Sequence, residues 1–166
     1  MMKKLLLVVL MALPLSVAAQ NLKFGTVNSL EVFNLMPEKV AAEQQLEALQ
    51  KQYEDEFVKM REEYANKYKE FMDGQETMPE NIKQRRMQEI QEIEMRIQNF
   101  REVVMNDLEE QQAKLMAPIQ EKMATAIKVV GDENGFTFIF DNNMPLYSGG
   151  PVVDVTPLVK AKLGLK

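Results

Sequence analysis

The sequence predicts an α+β protein: a small β-body built from strands near the two ends of the chain, from which a long antiparallel helical hairpin protrudes. Three observations carry this. Two long amphipathic segments, residues 37–73 and 77–130, are separated by one short break at residues 74–78. Strand-like runs flank them at residues 22–27 and 136–140. Two helices that meet only each other form an arm too thin to bury a globular core, so a compact base must anchor it.

In chain order, residues 1–19 read as a secretory signal peptide. Lys3 and Lys4 supply the charged start, residues 5–15 the apolar stretch, and Val17, Ala18 and Ala19 the small-residue cleavage site. No other stretch approaches the ~20 apolar residues of a membrane span, so stable membrane insertion is not expected. From Gln20 onward 147 residues remain, with 18 basic and 25 acidic side chains and a net charge of −7. That length suits one domain. The acidic balance argues against generic binding of nucleic acid or anionic lipid. The absence of Cys leaves packing or oligomerisation, rather than disulfides, as the source of stability.

Residues 22–27 alternate loosely between apolar and polar and predict a short strand. Residues 28–36 form a transitional turn or helical start, and Pro37 suits the first turn of the helix that follows. Along that helix Leu46, Leu49, Tyr53, Phe57, Met60, Tyr64, Tyr68 and Phe71 recur at spacings of 3 and 4 that repeat every eleven residues. Such a repeat favours a straight or slightly right-handed arrangement. Gly74 offers a left-handed stop. Thr77 and Glu80 have capping-box spacing around Pro79. The second helix carries Ile90, Ile93, Ile97, Phe100, Val104 and Leu108, then Leu115, Ile119, Met123, Ile127 and Val130. Pro118 interrupts this stripe and marks the expected junction of arm and base. The helices should reach ~55 Å and ~80 Å at 1.5 Å per residue. Gly131 and Gly135 end the second one, residues 136–140 form a strand, and Asn142-Asn143 turns it into a return strand at residues 144–147. Asp154 or Thr156 caps a last helix over residues 157–163, closed by Gly164. The division that results is a β-body of residues 20–36 and 118–166 and an arm of residues 37–117 with its tip near 73–79.

Catalysis is not expected. With neither His nor Cys, the most tunable base and the best nucleophile are missing. Adjacent carboxylates such as Glu62-Glu63 and Glu109-Glu110 diverge around a helix instead of converging on a substrate. No Asp-rich loop or His set suggests a metal, Gly149-Gly150 suits a turn rather than a phosphate loop, and no cofactor is expected.

What remains is binding. Leu46, Leu49, Tyr53, Ile93, Ile97, Phe100 and Val104 read as the seam between the helices. Seven Met residues lie in the arm region, namely Met60, Met72, Met78, Met87, Met95, Met105 and Met116. Met fills gaps in helix packing, and it also repacks against varied partners on promiscuous surfaces. On the second reading Met60, Tyr64, Tyr68, Phe71, Met72, Met78, Met87 and Met95 are candidate client-binding residues. The apolar run at 136–140 is covered either by the protomer's own helix or by another subunit. The latter makes Phe24, Val27, Phe136, Phe138 and Phe140 candidate residues of a subunit interface.

Over nearly its whole length the chain resembles the Skp/OmpH family of periplasmic chaperones. The resemblance rests on Lys23-Phe24-Gly25-Thr26-Val27-Asn28-Ser29 with Val32-Phe33, and on the charged hairpin. It continues through Ile119-Gln120-Glu121-Lys122, Phe138-Ile139-Phe140-Asp141, Tyr147 and Asp154-Val155-Thr156. It implies a periplasmic homotrimer with a shared β-body and three arms around a cavity, holding unfolded outer-membrane or exported proteins without ATP. Better-known members are basic, whereas the arms here carry 11 basic and 17 acidic residues across 40–73 and 79–117, a net charge of −6. A lipopolysaccharide site is therefore not carried over. The alternative is a structural or scaffolding coiled-coil protein of the envelope, whose arms space fixed partners.

Overall fold

The two long helices account for most of the molecule. The computed structural model describes residues 22–166; the signal peptide read at residues 1–19 lies outside them. In order come β1 (Phe24–Val27), α1 (Ser29–Leu35), α2 (Pro37–Gly74), α3 (Glu80–Asn134), β2 (Phe138–Asp141), β3 (Val152–Asp154) and α4 (Thr156–Leu163). Helices α2 and α3, of 38 and 55 residues, form the antiparallel hairpin, and everything else gathers at its open end.

The reversal between them is built differently from the sequence expectation. Gly74 is the last helical residue of α2, and right-handed Gln75 follows it, so no left-handed stop is used. The hydroxyl of Thr77 donates to the Gly74 carbonyl at 3.1 Å, and the N–H groups of Thr77 and Met78 converge on the same oxygen. Thr77 thus satisfies an orphan carbonyl of α2 rather than capping α3, which starts behind Pro79 with no side-chain cap. Because Gly74 is helical, Gly74→Ala is expected to raise stability by up to about 1 kcal/mol. The new Cβ would displace only the flexible Met78 Cε, which lies 2.7 Å from its position. A lower melting temperature for this variant would favour the left-handed stop instead.

Helix α3 runs through both Pro118 and Gly131. It ends at Gly135, whose φ of 67° is left-handed, and the Phe136 N–H returns to the Gly131 carbonyl at 3.0 Å. This is the termination glycine permits best.

The sheet is wholly parallel in the order β2-β1-β3, with Phe24 level with both Phe138 and Val152. The return strand expected at 144–147 does not form. A tight Asn142-Asn143 turn could only have given β2 an antiparallel neighbour. Instead residues 142–151 cross to the far edge of β1, as a parallel pairing requires. Gly150, with φ 86°, helps the chain into β3.

One face of this sheet packs on the helices. Val27, Val32, Ala126, Val130, Val155 and Val159 form the core of the body, joined by Ile139 and Phe136. Gly25 allows the close layer: a Cβ there would meet Phe136 at 3.0 Å and Val155 at 3.2 Å. A second cluster of Met36, Ala42 and Ile119, with Phe33, Leu115 and Met116 against it, fixes the root of the arm. Polar closures hold the ends. The Asn28 side chain accepts from the Glu31 N–H at 3.0 Å to cap α1, and the Asn28 N–H donates to Thr156 Oγ1 at 2.9 Å. Asp154 accepts from the Thr156 N–H and hydroxyl, while Val155 occupies the N-cap of α4. Gly164 ends α4 in the left-handed conformation.

Candidate functional site

The eleven-residue stripe of α2 faces α3. Tyr53 packs edge-on against Phe100 with centroids 6.1 Å apart, and its hydroxyl donates to Asp107 Oδ2 at 2.6 Å. Gln111 also donates to that carboxylate. Arg101 lies over the Phe57 ring, 4.8 Å from its centroid, and Arg96 grips both oxygens of Glu63 across the hairpin at 3.0 and 3.1 Å. Ile90 and Ile93 are buried, and Leu46, Leu49, Ile97 and Val104 are half-buried. A two-helix seam can hide no more than one side of each helix.

Asp107 is held below its ordinary pKa of 3.8, chiefly by the Tyr53 hydroxyl and then by Gln111. The same bond raises Tyr53 above 10.0. A lowered carboxyl contributes stability that is complete above 3.8 and lost as pH falls through its folded pKa. A raised phenol contributes stability that is complete below 10.0 and lost as pH rises through its folded pKa. The difference in melting temperature between the parent and Tyr53→Phe should therefore be constant between those limits and shrink outside them. A difference that drifts across neutral pH would contradict this tether.

The predicted client residues divide by phase. Met60 is only 8 % exposed and belongs to the seam, as its place in the 3-4 stripe implies, so it offers no free surface. Tyr64 is half-buried and stacks on exposed Tyr68, while Phe71 and Met78 are half-buried near the tip. Met72, Met87 and Met95 are exposed. Sequence reasoning missed Met105, at 72 % the most exposed Met of the arm, which falls outside the stripe Phe100-Val104-Leu108.

The residues predicted for a subunit interface divide as well. Val27, 3 % exposed, lies in the protomer's own core, and Phe136 packs on that core beneath the Lys23 ammonium. Both are used within one chain because they point to the helical face of the sheet. Phe24, Phe138 and Phe140 point the other way and stack with centroids 5.8–6.5 Å apart. Phe138 is 55 % and Phe140 41 % exposed. The residues of 142–151 add exposed Met144, Leu146 and Tyr147 beside them.

Charge is unevenly spread. The tip half of the arm, residues 59–73 and 79–96, has eight acidic and eight basic side chains. The body-side half, residues 40–58 and 97–117, has nine acidic and three basic ones, so the whole excess of −6 sits there. Among the described residues no group of acidic side chains is arranged to hold a metal ion, and no helix is long and apolar enough to cross a membrane.

A slender helical hairpin rooted in a small parallel sheet, with apolar side chains exposed on both, defines an arm-and-body fold. The chain belongs to the family described as outer membrane protein (OmpH-like), whose profile matches residues 23–163. The crystal structure of a candidate outer membrane chaperone (OmpH-like) from Caulobacter crescentus CB15 has the same fold. The two share 15% identity and a TM-score of 0.75, over 86% of this chain and 83% of that one. No curated protein matches the chain by sequence.

Proposed function

We propose that this protein is an ATP-independent holding chaperone of the periplasm, which binds unfolded outer-membrane or exported polypeptides and keeps them from aggregating. The observation that carries the reading is the run of exposed apolar side chains along a thin hairpin: Tyr68 and Met72 are exposed on α2, and Met87, Met95 and Met105 on α3. Many weak contacts suit a client of no fixed structure, and their sum supplies avidity. The shared fold with the Caulobacter protein, a candidate outer membrane chaperone, supports the same reading.

The working form is a homotrimer in which the Phe24–Phe138–Phe140 face is covered by neighbouring copies. A parallel sheet rarely leaves one face to water, and this face is aromatic. Residues 20–36 and 118–166 form that shared body, and residues 37–117 form the arm.

The test uses residues 20–166, light scattering of a urea-diluted outer-membrane β-barrel, and a mass measurement alongside. Suppression at roughly stoichiometric amounts without ATP is expected. A chain that leaves several unrelated denatured proteins to aggregate, yet captures one folded partner, would move the function to scaffolding.

A further inference from the structure

We propose that the groove between α2 and α3 at Tyr53, Phe57, Phe100, Val104, Met105 and Leu108 docks unfolded segments in which an apolar or aromatic side chain is flanked by Lys or Arg. This deepens the holding reading and rests on it: the body-side half of the arm selects cationic stretches of client.

The groove measures about 460 Å³ and opens along one side of the hairpin. That volume is at the lower end of what small-ligand sites offer, sufficient for one large side chain but not for a folded domain. The bond from Tyr53 to Asp107 and the edge-on contact with Phe100 fix one wall, so the opening exists before anything enters it. Met105, largely exposed and unbranched, leaves the opposite wall adjustable.

The charge around the groove specifies the occupant. Glu54 and Arg101 line it, and Glu47, Asp55, Glu102 and Glu109 lie on the same stretches of α2 and α3, where acidic side chains outnumber basic ones nine to three. All five carboxylates are exposed, and none takes part in an ion pair among the described residues. The tip half is balanced instead, with eight acidic and eight basic side chains, and there Lys83 pairs with Glu80, Arg85 and Arg86 with Glu89, and Arg96 with Glu63. Carboxylates that have no cation of their own attract one from a partner. The groove also contains an example of the contact it would make. The Arg101 guanidinium rests over the Phe57 ring, with that of Arg61 6.0 Å from the same centroid. A client Lys or Arg beside an aromatic anchor can use ring and carboxylate together.

The experiment measures fluorescence anisotropy of two synthetic unfolded peptides with the full chain. The peptides share length and apolar residues; one carries Lys and Arg, the other Asp and Glu in their places. The cationic peptide is expected to bind about tenfold tighter at about 0.05 M salt, with the ratio falling below about threefold at about 0.5 M as screening shortens the field. The combined variant Glu54→Gln, Asp55→Asn, Glu102→Gln and Glu109→Gln breaks no ion pair and should abolish the preference. Met105→Ser, an exposed change, should weaken both peptides alike. Equal binding of the two peptides, a preference that survives neutralisation, or indifference to Met105→Ser would each overturn the proposal. So would failure of both to bind. Aggregation suppression measured in the same solutions then tells whether the holding reading fails too or only this groove.

Discussion

Replacing Phe138 and Phe140 together by Asp should reduce the proposed three-copy particle to single copies while leaving its helix content unchanged. Both rings are exposed in the protomer and lie on the side of the sheet away from its core, so their loss opens no cavity. Each Phe covered by a neighbour contributes about 1.5–3 kcal/mol of apolar burial, a contribution counted once per subunit. An Asp in its place adds the cost of desolvating a charge without a partner. Light scattering with mass determination and far-ultraviolet circular dichroism read the two halves of this prediction. A trimer that survives the double substitution would place the subunit interface elsewhere, and a particle that is monomeric before substitution would remove the interface altogether.

Met36→Ala should have the largest effect of any single truncation on the stability of the chain, about 2–5 kcal/mol. Met36 is 1 % exposed and sits where α1 gives way to α2, packed with Ala42 and Ile119. Its N–H also closes α1 on the Phe33 carbonyl, a bond that alanine keeps, so the loss reports the side chain alone. The urea midpoint should fall with the slope unchanged. Met95→Ala, on the open side of the arm, should move the midpoint by less than about 0.5 kcal/mol. Equal effects at the two positions would mean that the root of the arm is not packed as described.

The contrast between these methionines shows what a sequence discloses and what it withholds. The 3-4 spacing from Leu46 to Phe71 is a physical consequence of helical geometry, so the two long helices, their antiparallel return and the phase of Met60 can all be read from it. Met105 could have been placed by the same rule, since it is one residue past Val104. The ends of the helices are harder. Thr77 has equal chemistry for capping α3 or for closing α2, and only the position of the Gly74 carbonyl decides. Pro118 removes one backbone bond, yet α3 runs on through it, with the adjacent Ile119 buried against Met36 and Ala42. The sheet is least legible. Parallel pairing of β1 with β3 joins residues far apart in the chain, and no local pattern distinguishes Val152–Asp154 from residues 144–147 as the next strand. The faces of β2 follow from alternation, yet the run Phe136-Thr137-Phe138-Ile139-Phe140 is apolar on both. Which side meets α3 is settled by Gly25 and Val155 in other elements.

The middle strand of the body is also the first to be made. Lys23 binds Thr137, 114 residues later, and Asn28 binds Thr156, 128 residues later, whereas the hairpin closes on itself without either end. Contacts at such separations form slowly compared with the local turns of a helix. A chain arriving amino end first can wind its arm early, but β1 then stands with neither neighbour. Val155 and Val159, two fully covered residues of the core, arrive last of all. The body therefore works as a clasp that only a whole chain can fasten. Any copy cut short before residue 152 retains an arm but lacks β3 and α4, and so cannot lock its first strand in place.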